Sequence, residues 1–161
     1  MQHKKLEFDF EVYHSINELD KVDALLLSKA RESTQLAYAP YSKFNVGAAA
    51  LLTDGNVVVG SNQENASFPA GICAERVLLS TASTLHSKVP INTMAISYNN
   101  QLGNSNKPIS PCGVCRQCLV EYENMVAHPI RIILSGMEGE VYVISKASML
   151  LPLGFTSKDM E

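Results

Sequence analysis

The residues able to do chemistry are concentrated in two short segments, Cys73-Ala74-Glu75-Arg76 and Pro111-Cys112-Gly113-Val114-Cys115-Arg116-Gln117. Each stands where a helix is expected to begin. Cys112 and Cys115 are three residues apart, so near a helix start both sulfurs can face one point. Cys73 comes from the other helix start. Three thiolates brought together this way offer a zinc ion three tetrahedral corners. Helix N-termini carry partial positive charge and free N–H groups, and both favour thiolate over thiol.

The fourth corner separates structure from catalysis. A closed four-ligand site is structural, whereas three ligands leave room for water. Cys118 lies one turn past Cys115, about 4.5 Å farther along the helix axis. It reads as a small core residue, the alternative being a fourth ligand. Glu75 points to the open site. A carboxylate in the first turn can take a proton from water beside a metal and pass it to a leaving nitrogen. Taken alone, the same residue would only complement the helix dipole. Zinc with three thiolates is anionic overall, so something must withdraw charge from sulfur. Arg76 is the residue expected to do so by hydrogen bonding to a ligand thiolate. Arg116 reads instead as a surface arginine in a salt bridge. A lone C-x-x-C fits redox and structural zinc sites equally well. The combination of C-x-E with a later P-C-x-x-C is the signature of zinc deaminases.

The elements that position these segments can be read from hydrophobic period and turn chemistry. Residues 15–38 carry Leu19, Val22, Leu25, Leu26, Ala30 and Leu36 at helical spacing, with Ser15 or Asn17 as cap. Ala39-Pro40 ends that helix. Strands are expected at 45–52 and 57–59 around the Asp54-Gly55 turn, then at 91–98, 130–134 and 141–144. Helices are expected at 72–85 and 112–122, with a short one at 146–151. Residues 99–110 form a loop, and residues 1–14 carry no assignment. Strands alternating with helices indicate an α/β fold with a mixed sheet covered by helices.

Beyond the metal segments, the chain resembles cytidine deaminases of the small, homotetrameric, three-cysteine zinc class. The resemblance runs through Tyr38-Ala39-Pro40-Tyr41-Ser42-Lys43-Phe44, Val46-Gly47-Ala48-Ala49, residues 60–76, residues 110–117, and Leu150-Leu151-Pro152 with Phe155. Asn62-Gln63-Glu64-Asn65-Ala66 is its most specific part. The resemblance implies a three-layer α/β/α fold with a mixed five-stranded sheet, one zinc per subunit on Cys73, Cys112 and Cys115, and Glu75 as the proton carrier. It implies that Asn62 and Glu64 hold the ribose 3′-hydroxyl and that Phe44 packs against the pyrimidine. Glu75 and the backbone at Ala74 would read the base edge. Neighbouring subunits would complete each pocket, with Ala66 and Phe68 from one and Phe155 from another. Phe68 stands where the family often has tyrosine and lacks the hydroxyl that could bind the ribose 5′ end.

Composition narrows the alternatives. The chain has 161 residues, 46% hydrophobic and 18% charged, enough for a folded core and suited to one domain spanning 1–161. The net charge of −3, the absence of Trp and an aromatic content of 7% argue against a nucleic-acid editor. No apolar run is long enough to span a membrane, and the charged start lacks a signal-peptide centre. A cytoplasmic enzyme with reduced cysteines is therefore expected. The expected reaction is hydrolytic deamination of cytidine and 2′-deoxycytidine, as in pyrimidine salvage. Two other readings stand beside it. One is a zinc deaminase of another amine, such as an aminonucleoside antibiotic. The other is a non-enzymatic zinc or redox module.

Overall fold

The computed structural model describes residues 1–160. Its elements are β1 (Glu11–Tyr13), α1 (Lys21–Ser33), β2 (Phe44–Leu52), β3 (Val57–Ser61), α2 (Ala74–Leu85), β4 (Ile91–Asn100), α3 (Gly113–Val126), β5 (Arg131–Ser135) and β6 (Val141–Ile144). They form one sheet in the order β1-β6-β5-β4-β2-β3. The β4–β5 pair is parallel and the other pairs are antiparallel, so the sheet is mixed.

Alternation along each strand divides the core into two layers. Ala48, Ala50, Met94, Ile96, Ile132 and Leu134 face α2 and α3. Ala49, Ala95 and Ile133 face Leu26, Leu27 and Ala30 of α1. The result is the expected α/β/α sandwich, with six strands rather than five. The additional strand comes from the unassigned N-terminal arm, where Val12 pairs with Tyr142 at the β6 edge.

The first helix is shorter than its period suggested. Asp20 caps it by accepting the N–H groups of Val22 and Asp23 at 2.8 and 2.9 Å. Ser15 instead caps a separate 3-10 turn, Ile16–Glu18. A further 3-10 turn, Thr34–Leu36, follows α1. The buried face is Asp23, Leu26, Leu27, Ala30 and Ser33, which leaves Val22, Leu25 and Leu36 exposed. The carboxylate of buried Asp23 is not stranded, because Arg131 on β5 reaches it at 2.6 Å.

Close approach of α2 to the sheet fixes where the chemical residues stand. A Cβ at Gly60 of β3 would lie 2.5 Å from the Ala74 carbonyl oxygen and 2.6 Å from the Leu78 nitrogen. Both are backbone atoms of α2 and cannot rotate away. Gly60→Ala is therefore expected to destabilise the fold by about 1–3 kcal/mol through overpacking. It also pushes the start of α2 outward, so activity should fall with stability. A urea titration beside a rate measurement checks this; an unchanged midpoint would mean that α2 yields without cost.

Candidate active site

Both helix starts carry a cysteine at the position before the first helical residue. Cys73 precedes α2 and Cys112 precedes α3, each with extended backbone and with its sulfur making no capping bond. Cys115 sits one turn into α3 and is fully buried. The sulfurs of Cys73 and Cys112 are 3.9 Å apart, those of Cys112 and Cys115 are 3.5 Å apart, and all three lie within 4.8 Å. Zinc–sulfur bonds of about 2.3 Å at the tetrahedral angle separate sulfurs by roughly 3.8 Å. The three cysteines thus fit a zinc ion. Cys118 stays outside the cluster and packs, half-buried, against the core.

The electrostatics agree with that donor set. Hydrogen bonding from the Cys115 thiol, with smaller help from Cys112 and Arg76, lowers Cys73 to about 5 despite its desolvation. Cys115 is raised, first by its hydrogen bond to Cys73 and then by burial and the nearby Glu75. Ionisation of Cys73 therefore opposes ionisation of Cys115, and a cation between them would relieve that opposition. Arg76 supplies positive charge beside them. Desolvation opposes its charge, but Cys73 and Cys115 outweigh that and raise its pKa. Its Nη2 donates to the Gly71 carbonyl at 3.2 Å, while its buried Nε has no hydrogen-bond partner among the described residues. Arg116, read from sequence as a salt-bridge residue, instead donates to the carbonyls of Pro111 and Leu150 at 2.8 and 2.9 Å. It anchors the loop before α3 to the C-terminal segment.

Glu75 is the second residue of α2 and is only 5% exposed. Burial is the main cause of its raised pKa, and the charge on Cys73 adds to it. A carboxyl group in this setting can hold a proton at higher pH than a free one, as acid–base chemistry near neutrality requires.

These groups meet at a cavity of about 650 Å³, within the size range of small-molecule pockets. Phe44, Asn62, Glu64, Phe68, Cys73, Ala74, Glu75 and Cys112 line it. Ala66 and Phe155 do not. Ala66 is exposed, and Phe155 is 58% exposed while its carbonyl accepts from the Gln117 amide at 2.8 Å. Phe68, 75% exposed, meets Tyr41 edge to face at the rim, with ring centroids 5.8 Å apart. Tyr41, Ser42, Ile109 and Ser110 also line the cavity. Sequence reading gave them no role, although they adjoin Phe44 and the Pro111-Cys112 segment.

Three polar groups behave differently from what their residue types alone suggested. Both ends of the Asn62 amide are engaged with β2, its oxygen accepting from Val46 N–H at 2.7 Å and its nitrogen donating to the Phe44 carbonyl at 2.9 Å. It retains one lone pair and one N–H for a ligand. Glu64 accepts the N–H groups of Tyr41 and Ser42 at 2.9 and 3.3 Å through Oε2. The Ser42 hydroxyl leads these contacts in holding Glu64 below its usual carboxylate range. The Ala74 carbonyl packs toward Gly60, so the backbone group Ala74 can offer the cavity is its N–H at the helix start.

A family model described as the cytidine and deoxycytidylate deaminase zinc-binding region matches residues 20–128, more than half of the chain. The chain belongs to that deaminase family. It is accordingly a hydrolytic zinc enzyme. The deaminase is 37% identical over 136 residues to a cytidine deaminase of Halalkalibacterium halodurans, covering 84% of this chain and 96% of the relative. It is 39% identical over 110 residues to that of Mycobacterium tuberculosis, covering 66% and 78%. Among solved structures, the cytidine deaminase of Burkholderia pseudomallei superposes with a TM-score of 0.71 at 37% identity, covering 81% of this chain and 97% of the other. The M. tuberculosis structure gives 0.64 at 29% identity, covering 86% and 99%.

Proposed function

We propose that this deaminase converts cytidine and 2′-deoxycytidine to uridine and 2′-deoxyuridine, releasing ammonia, in cytoplasmic pyrimidine salvage. The observation that carries the reading is the buried Glu75 beside three convergent cysteines, in one cavity with Phe44 and Glu64. Cys73, Cys112 and Cys115 would hold the zinc, which when bound would supply Lewis acidity and lower the pKa of water for attack on the ring carbon that bears the amino group. Glu75 takes the proton from the attacking water and delivers it to the departing amino nitrogen. Arg76 and the two helix N-termini draw charge from the sulfurs. Phe44 packs against the pyrimidine, and the Ala74 N–H donates to the base edge. Glu64 and the remaining valences of Asn62 hold the ribose 3′-hydroxyl.

A homotetramer completes the pocket in this reading. Ala66 reaches one neighbour's site and Phe155 closes another over the base, while Phe68 stands beside Tyr41 at the rim of its own chain's cavity. The exposure of Ala66 and Phe155 in a single chain supports the assignment, since buried side chains would have nothing to give a neighbour. No helix among the described residues is long and apolar enough to cross a membrane. Phe155→Ala is expected to raise KM on the order of tenfold by removing one aromatic wall. Steady-state kinetics reads this, and an unchanged KM would take Phe155 out of the pocket.

The deciding assay follows ultraviolet absorbance with zinc-loaded protein and four amines: cytidine, 2′-deoxycytidine, free cytosine and an aminonucleoside antibiotic. Turnover of the two nucleosides is expected. Turnover confined to cytosine or the antibiotic would keep the chemistry and overturn the ribose assignment. No turnover of any of them would overturn the proposal.

A further inference from the structure

The aromatic ring that faces the substrate in the reading above rests on a second ring. Phe44 lines the cavity, whereas Tyr98 does not. Tyr98 is 3% exposed and stacks on Phe44 with centroids 4.8 Å apart and planes 16° from parallel. Sheet register brings them together. β2 and β4 pair Val46 with Tyr98 and Phe44 with Asn100, so Phe44 and Tyr98 occupy diagonal positions on one face.

Phe44 needs such support. It is the first residue of β2 and follows Lys43, whose backbone is left-handed at φ 57°. The Asn62 amide pins the backbone just after the Phe44 side chain, through the Phe44 carbonyl and the Val46 N–H. Backbone pinning leaves the side-chain torsions free, and a half-buried phenylalanine at a strand start can swing. The buried Tyr98 ring closes that freedom from behind.

We infer that Tyr98 is a positioning residue, stacked on the back of Phe44 so that the opposite face of Phe44 meets the pyrimidine base at a fixed depth and tilt. The inference rests on the proposal that Phe44 packs against the base. Tyr98 touches no reacting atom. Its effect therefore belongs to substrate binding, with the ground state and the transition state affected alike.

The test is a double-mutant cycle on zinc-loaded protein, with KM and kcat measured for cytidine. Tyr98→Leu is expected to raise KM roughly three- to tenfold with kcat held within about twofold, the size of one lost aromatic pair. Tyr98→Phe keeps the ring and should keep the wild-type KM. In a Phe44→Leu background, Tyr98→Leu should add nothing to KM. Ile133→Val, in the opposite core layer, controls for general loosening and should leave KM unchanged. If Tyr98→Leu does not fold, Tyr98→Met fills the space without a flat ring and is read the same way. A wild-type KM in Tyr98→Leu, with a raised one in Phe44→Leu, overturns the inference alone. A further rise in the double variant also overturns it, because Tyr98 would then act by another route. A wild-type KM in Phe44→Leu overturns the base-packing reading and this inference with it.

Discussion

Glu75→Gln should lower kcat by about 10²–10⁴ while leaving one zinc bound per chain. The amide keeps the size of the side chain and removes its ability to carry a proton. Glu75 is not a member of the sulfur cluster, so the metal donors remain complete. Its surroundings are costly for a charge, as its burial and raised pKa show. A neutral amide avoids that desolvation, so the melting temperature should hold or rise. The combination of lost turnover, retained metal and retained stability separates a proton carrier from a structural residue. Turnover within about tenfold of wild type would remove Glu75 from the chemistry, because general acid–base groups contribute at least 10²-fold. A parallel loss of zinc would give Glu75 a role at the metal instead.

The chemical centre was legible in the sequence because its information is local. Cys112 and Cys115 lie within one turn, Glu75 lies two residues from Cys73, and both segments announce helix starts. What escaped was long-range or divided into pieces too short to show a period. β1 is only three residues, Glu11–Tyr13. A signal for it existed, since Leu6, Phe8, Phe10 and Val12 alternate with charged residues, but alternation does not say which sheet edge will accept a strand. On α1, apolar residues at Val22 and Leu25 competed with Leu26 and Leu27 for the inner face, and packing against Ala49, Ala95 and Ile133 of the sheet buried the latter. Asn62 is an instructive case. An amide in a polar turn says that hydrogen bonds will be made without saying to what, and two of them hold β2 at Phe44 and Val46. Tyr98 reads as strand core from its own neighbourhood. Its partnership with Phe44 depends on the β2–β4 register, which joins segments separated by the whole of α2.

Cys115→Ala is expected to abolish both zinc retention and turnover. Cys115 is fully buried, its sulfur lies 3.5 Å from that of Cys112, and its thiol is the leading influence that lowers Cys73. Removing it leaves one cysteine at each helix start, and two thiolates do not hold zinc as three do. Alanine is a strong helix former and smaller than cysteine, so α3 itself should form normally. The loss should therefore appear as missing metal in a folded protein. Stability should fall as well, because the ion would join the starts of α2 and α3, and a ligand bound only by the folded state stabilises it by mass action. Treating wild-type enzyme with a chelator should lower its melting temperature toward that of Cys115→Ala, and restored zinc should rescue wild type alone. Cys118→Ser supplies the contrast. Cys118 lies outside the sulfur cluster and packs on the core, so this variant should keep one zinc and near-normal turnover despite some loss of stability. If Cys118→Ser lost its metal and Cys115→Ala retained it, the donor set would be wrong, and the open three-sulfur site with it. Retention in the first and loss in the second would leave the fourth coordination position free for water, as Glu75 requires if it is to move a proton there.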